Sequence, residues 1–302
     1  MNKEIKERIV LSAFAADAFA LGVHWIYDIE KLKKISPIET LLSPGEKSFH
    51  PTKKKGEFTH YGDQMFVLLE SVTEAKAFDA ENFSRRWRSL FSDYNGYFDG
   101  ATKSTLKNLE NGKPYFDAGS NSNDLAGASR FAPLFLILGD DVNILAEAAK
   151  VQTRLTHNDP DTMDAACFLA RTSYLISTGV EPAKAFEETV LKHYEMTPIE
   201  MWVEDGLKSV KEDTVSVIQK FGQSCHLPEA MPGVIHLAAK YENDLTRALI
   251  ENVTSGGDSS ARGMAVAMLL GAYEGAKGVK EEWINGIHKI NRIRELIGEA
   301  LG

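Results

Sequence analysis

Four short polar segments, three of them glycine-bearing, interrupt the apolar sequence, and each carries residue types able to do acid/base or ligand chemistry. In residues 16–25, Asp17 stands in an alanine-rich run that ends Leu21-Gly22-Val23-His24-Trp25. A carboxylate there costs desolvation unless something pairs with it; it is either a satisfied structural group or part of a site. In residues 56–65, Thr59, His60, Tyr61 and Asp63 run directly into an apolar stretch. Asp63 is placed to cap a helix there, since Asp accepts from the free N–H groups of a first turn. The same geometry presents Thr59, His60 and Asp63 to a ligand. In Arg154-Leu155-Thr156-His157-Asn158-Asp159-Pro160 a helix gives way to a polar turn and a new helix, with His157 either satisfied in the turn or touching a ligand. The fourth segment is Ser255-Gly256-Gly257-Asp258-Ser259-Ser260-Ala261-Arg262-Gly263. Paired glycines let backbone N–H groups approach a ligand closely, and a helix N-terminus attracts anions. Asp258 opposes a phosphate there unless a cation lies between them, so this is an anion-site or metal-site signal.

The elements that must position these segments read at the helical period. Residues 3–22 place Ile5, Ile9, Phe14 and Leu21 among alanines, as in a buried helix. Residues 63–78 repeat the pattern with Met65, Val67, Leu68, Leu69 and Val72, and residues 81–94 with Phe83, Trp87, Leu90 and Phe91. Further helices are expected over 102–111, 129–138, 143–153, 161–177, 182–195, 198–221, 233–240, 244–254, 260–274 and 280–287, with a short tail from Lys289. No alternating β-branched run with hairpin turns is present, so no sheet is expected. The irregular stretches are 35–62, with Pro37, Pro44, Pro51 and three consecutive lysines, and 112–128, rich in Gly, Ser and Asn. Neither has the composition of a domain linker. One domain is expected, with its binding residues on these loops.

The chain has 302 residues, 43% of them hydrophobic and 25% charged, which suits a globular protein rather than a disordered one. The net charge of −9 argues against non-specific binding to nucleic acid or anionic membranes, while a local pocket of donors still suffices for an anionic small ligand. Two cysteines, Cys167 and Cys225, are too few for a disulfide framework. His226 follows Cys225, but no second Cys/His pair stands at zinc spacing, so no structural zinc site is expected. Lys3, Lys6 and Arg8 before the apolar run 9–16 imitate an export signal, but Glu4, Glu7 and Asp17 break the imitation. No run approaches the ~18 apolar residues of a membrane span, and a cytoplasmic location is the expectation.

Taken together, the segments resemble the ADP-ribosylglycohydrolases, the family of the dinitrogenase-reductase-activating glycohydrolase. Residues 1 to about 278 follow the family's order of motifs. The most specific match is Arg154-Leu-Thr-His-Asn-Asp-Pro160 with Asp164-Ala-Ala-Cys167, followed by Gly256-Gly-Asp258 and Leu270-Gly-Ala-Tyr-Glu-Gly275. Asp17-Ala with Gly22 resembles a Gly-Asp-Ala-Leu-Gly opening, Gly100-Ala-Thr102 a Gly-x-Thr turn, and Arg130-Phe-Ala-Pro133 a Met-Arg-x-x-Pro turn. The resemblance implies an all-α, single-domain orthogonal helical bundle with its site at one end. It also implies cleavage of a glycosidic bond between ADP-ribose and a side chain, and two magnesium ions held by oxygen ligands.

The family's ligands come from Thr-Asp-Asp-Thr and Gly-Gly-Asp-x-Asp-Thr motifs, and this chain departs from both. In the second, Asp258 is kept, Ser260 replaces the next aspartate and Ala261 the threonine. In the first, alignment from Gly56 keeps Thr59 and puts His60 and Tyr61 at the aspartates; alignment back from Met65 gives His60-Tyr61-Gly62-Asp63. Either register loses both aspartates, with Asp63 the nearest replacement. The family's further acidic residue, near the Gly-x-Thr turn or after the first helix, is matched by Asp99, Glu46 or Glu57. The metal candidates are therefore Thr59, Asp63 and Asp258. That set allows one weakly held magnesium and not a tight pair.

By the same resemblance, Asp63 and Asp99 are the candidate catalytic carboxylates. The candidate substrate contacts are Asp17, His60, Tyr61, His157, Gly257, Ser259, Ser260 and Arg262. The 120–130 loop, with Asn123, Asp124, Gly127 and Ser129, is expected on the phosphates. His or Arg can replace a metal's positive charge toward a phosphate or a leaving group. The leading reading is a hydrolase of an ADP-ribose-like bond, on a small molecule or an ADP-ribosylated substrate, with reduced metal dependence. The alternatives are a pseudoenzyme that binds ADP-ribose or a nucleotide sugar, and a structural protein, as in the J1 crystallins that resemble this family. A monomer or small homo-oligomer is expected.

Overall fold

The computed structural model describes residues 1–302. Seventeen α-helices follow one another: α1 Lys3–Ala20, α2 Ile29–Ile35, α3 His60–Ala75, α4 Ala80–Leu90, α5 Gly100–Glu110, α6 Leu125–Ala128, α7 Leu134–Leu138, α8 Val142–Arg154, α9 Pro160–Ile176, α10 Pro182–His193, α11 Pro198–Lys208, α12 Thr214–Phe221, α13 Leu227–Lys240, α14 Leu245–Thr254, α15 Ser259–Gly271, α16 Glu281–Asn285 and α17 Ile290–Leu301. No sheet forms; extended backbone pairs only as isolated bridges, Ile26 with Gly257, Ser120 with His157, Asp124 with His226 and Asp244 with Lys277.

The centre of the bundle is the pair α1 and α15. Every residue of α15 is buried, as is almost all of α1 beyond its first turn, and helices apolar all round are the ones a core encloses. Small residues allow their close approach: a Cβ on Gly271 would lie 3.1 Å from Ile9 Cα. Around this pair α3, α9, α13 and α14 complete one contiguous apolar cluster. The run 9–16, which imitates an export signal, is thus part of the central helix.

Two expected helices are broken, each for a local reason. The stretch 129–138 carries Pro133, which lacks an N–H and disfavours helix in the residue before it; α6 ends at Ala128 and α7 starts at Leu134. The stretch 198–221 divides because Ser209 ends α11 and Asp213 caps a new helix, α12, by accepting from Ser216 N–H. The cap of α3 is Thr59, whose hydroxyl accepts from Tyr61 N–H, so Asp63 lies inside the first turn rather than at the cap.

Candidate functional site

The N-termini of α3, α5 and α15 converge on the C-terminal half of α1, and their cap residues face one another. Asp17 is the hub. It is fully buried and accepts from Thr59 N–H (2.9 Å), Thr59 Oγ1–H (2.6 Å) and the Ser260 hydroxyl. A Cβ on Gly62 would stand 2.2 Å from Asp17 Oδ2, so only glycine fits there. Burial pushes the Asp17 carboxyl up to about 6, against the pull of its hydroxyl partners.

Two acid–aromatic pairs flank this hub. His60 Nε2 lies 3.1 Å from Asp99 Oδ2, while Asp99 Oδ1 caps α5 by accepting from Thr102 N–H. Burial acts to raise the Asp99 carboxyl, but its hydrogen bonds, first that to His60 and then that from Thr102 N–H, outweigh burial and hold the group well below the carboxylate range. An ionised Asp99 accepts from Nε2–H, which leaves His60 Nδ1 as an acceptor. That atom is buried without a partner. In the second pair Tyr61 O–H donates to Asp258 Oδ2 (3.1 Å), and Asp258 Oδ1 caps α15 through Ala261 N–H (3.1 Å). Burial raises both groups, Tyr61 far above its ordinary value, so the phenol keeps its proton.

Three further imidazoles close around these pairs. Ser260 N–H approaches His24 Nδ1 at 3.4 Å, which puts the ring hydrogen on Nε2, an atom with no partner. Neither nitrogen of fully buried His50 has one. Burial, with neighbouring positive groups, drives His24 well below its ordinary value and His50 down to about 3. His24, His50 and His60 line up with Trp25, with ring centroids 4.4, 5.7 and 5.5 Å from its indole. Phe49 and Tyr97 stand edge-on to Trp25 at 5.1 and 5.0 Å. Trp25 takes φ +62°, a strained choice for a bulky residue. It is held there by its N–H on Gly257 O (2.9 Å). His157 follows the same logic. Arg130 donates to Thr156 Oγ1, which lies 2.9 Å from His157 Nδ1. The Thr156 hydroxyl hydrogen then points to Nδ1, and the unpartnered Nε2 carries the ring hydrogen. Burial, reinforced by Arg130, lowers His157 to about 4. Buried Arg130 also shares Gln64 Oε1 with Trp87, and Gln64 Nε2 donates to His60 O (2.8 Å).

The site thus gathers Asp17, Thr59, His60, Tyr61, Asp99, Asp258 and Ser260, with His157 near enough for its charge to act on Asp99. Asp63 does not join them. Its carboxylate is taken by Lys53 and by Tyr94 O–H (2.7 Å), in a separate cleft with Thr52, Glu57 and Asn95. The glycine turn is closed as well: Gly257 N–H is spent on Ile26 O, Asp258 N–H on Gln223 O and Ser259 N–H on Gly257 O. Arg262 is buried and ties α15 to Asn252 and Gly256. Ser259 is buried with its hydroxyl unpartnered. Gly127 lets His157 pack against it, since a Cβ there would meet the ring at 2.6 Å, and Ser129 Oγ bonds Ala126 O (3.3 Å). Asn123 and Asp124 instead meet Cys225 and His226. The ligand atoms of Asp124, Cys225 and His226 lie within 4.8 Å of one another, a trio able to hold a metal.

Two clefts open here. One, of about 530 Å³, is lined by His24, Trp25, Tyr27, Phe49, Lys31 and Lys47. The other, of about 650 Å³, is polar, with Gly100, Lys113, Asn121, Ser122, Asp124 and Asn158. Sequence reasoning passed over His50, Phe49 and Tyr97. Their only signal is the density of His and aromatic residues in otherwise irregular loops.

The ADP-ribosylglycohydrolase family model matches residues 2–302. An uncharacterized protein of Archaeoglobus fulgidus is 28% identical over 250 residues, covering 80% of this chain and 79% of that protein. ADP-ribosylhydrolase ARH3 of Mus musculus is 25% identical, covering 77% and 74%. Crystallin J1A of Tripedalia cystophora is 21% identical over 96% of this chain and 94% of its own length. A solved ADP-ribosylglycohydrolase-related protein complex superposes with a TM-score of 0.75 over 99% of both chains at 20% identity, which is a likeness of fold. This chain belongs to the ADP-ribosylglycohydrolase family.

Proposed function

We propose that this protein hydrolyses a glycosidic bond of an ADP-ribose-like substrate by acid/base catalysis at His60, oriented by Asp99, without a pair of magnesium ions. The observation that carries the reading is the His60 ring. Nε2 is fixed on a buried, ionised carboxylate at 3.1 Å, and Nδ1 is free and unsatisfied. A carboxylate that orients an imidazole whose second nitrogen is unpartnered is the arrangement of a general base once water enters beside that buried atom. Nδ1 would take the proton from an attacking water. The negative charge of Asp258, bonded by Tyr61, would offset positive charge developing at the sugar's anomeric carbon. His24 and His157, each with a buried, unpartnered Nε2–H, would donate to substrate oxygens that reach them. The half-exposed aromatic faces of Trp25 and Phe49 suit a base or sugar ring, and Lys31 and Lys47 in the same cleft suit a pyrophosphate.

The residues present do not fit two magnesium ions. Magnesium asks for near-octahedral oxygen donors, but His60 and Tyr61 occupy the first motif and Ser260 and Ala261 the second. Asp17 is already filled by three donors, and Asp258 by two. That saturation also favours a second reading, binding without turnover. Purified protein given ADP-ribosyl-arginine and O-acetyl-ADP-ribose separates the two: release of ADP-ribose supports hydrolysis, and tight binding with no release supports the second.

A further inference from the structure

The geometry points to a zinc-class metal site formed by Asp124, Cys225 and His226, with Asn123 beside it, on the wall of the polar cleft. The inference does not depend on the hydrolase reading. The loop 120–124 and the segment 225–227 are locked together by an antiparallel bridge between Asp124 and His226. Leu125 N–H donates to Cys225 O (2.8 Å) and Leu227 N–H to Asn123 O (3.1 Å). This frame brings together side chains 101 residues apart in sequence. Cys225 Sγ lies 2.9 Å from Asp124 Oδ1, and that oxygen lies 3.5 Å from His226 Nδ1. Donors on one tetrahedral zinc, with bonds of about 2.0–2.3 Å, stand roughly 3.3–3.8 Å apart, so small side-chain rotations close the set on one ion. Asn123 Oδ1, 2.5 Å from His226 Nδ1, is the oxygen at hand for the fourth position.

The donor set selects the ion. One sulfur, one imidazole nitrogen and a carboxylate oxygen suit zinc or cobalt, whereas magnesium and calcium prefer oxygen alone. The Asp124 carboxylate is held from behind by Ser122 Oγ–H (2.6 Å), as outer partners orient ligands in built sites. The His226 side chain is 57% exposed, so an ion can enter from solvent. On binding, the Sγ–H bond breaks, the Sγ–metal bond forms and the proton leaves to solvent. Burial raises the Cys225 thiol and keeps that proton in place without metal.

The probe is cobalt(II) alone, added to the full chain and followed by visible absorption, then displaced by zinc. One equivalent of cobalt should give intense d–d and thiolate-to-cobalt bands, lost on adding zinc. Cys225→Ser should abolish the thiolate band and Cys167→Ser should leave it intact. Asp124→Asn and His226→Gln should each weaken binding by more than about a hundredfold, the upper end seen for outer-shell changes. Melting followed by circular dichroism identifies any variant that fails to fold, and the two single-ligand variants then carry the test. Absence of a thiolate band in the wild-type protein, or a band that survives Cys225→Ser, overturns the inference.

Discussion

Asp99→Asn separates catalysis from folding at one atom. Asn caps a helix about as well as Asp, and the amide oxygen of the variant can still accept from Thr102 N–H as Asp99 Oδ1 does. What changes is the group 3.1 Å from His60 Nε2. An amide NH2 there turns a donor toward the ring, so Nε2 must become the acceptor and the hydrogen must move to Nδ1. The free nitrogen can then no longer take a proton from water. Losing a positioned acid/base group costs about 10²–10⁴ in rate, or about 2.7–5.5 kcal/mol of barrier. Folding should lose only the charge-assisted bond, about 1.5–3 kcal/mol. Asp99 is held below its ordinary value, so the wild-type stabilisation is present above about pH 4 and lost as pH falls through the depressed value; the variant lacks that acid loss. The assay pairs single-turnover release of ADP-ribose with thermal melting at each pH. A folded variant with wild-type turnover would refute the role of the pair.

Other substitutions test the surroundings. With Asp17 raised from an ordinary 3.8 to about 6, the folded state binds a proton the unfolded state does not. Its contribution is therefore smallest above pH 6 and grows by about 2 kcal/mol as pH falls from 6 to 4; the stability of wild type relative to Asp17→Asn should rise over that window, and a flat difference would contradict the burial argument. His50 runs the other way. Its folded value of about 3 means stability present above pH 6.5 and lost on acidification, so His50→Phe should melt higher than wild type by a margin that widens below pH 6. Gly62→Ala drives a methyl against Asp17 Oδ2 and should cost about 1–3 kcal/mol in a urea titration.

The helices and the hub were legible in the sequence because both depend on local signals. Period-3.6 spacing marks α1, α3 and α15, and a lone Asp17 in an alanine run announces a buried carboxylate that needs partners. The motif-bearing residues Thr59, His60, Tyr61, Asp258 and Ser260 were found for the same reason, since each sits at the start of a helix. Asp63 reads as a site residue through the motif alignment that the family resemblance implies, and only the fold reveals Lys53 and Tyr94 waiting for it. The histidine and aromatic cage was not legible. His50, Phe49 and Tyr97 come from two loops with no periodicity, and their rings meet those of His24 and Trp25 only after the bundle closes. The Asp124, Cys225 and His226 trio was hidden likewise, since metal spacing within one segment is visible and a ligand from a distant loop is not.

The most direct measurement is a magnesium titration of the hydrolysis rate, on ADP-ribosyl-arginine and O-acetyl-ADP-ribose, with metal-stripped protein. The account predicts release of ADP-ribose that does not change with magnesium and that falls steeply in Asp99→Asn. Release that appears only with magnesium, and that Asp99→Asn leaves unchanged, would show a working magnesium centre and contradict the assignment of catalysis to the His60–Asp99 pair.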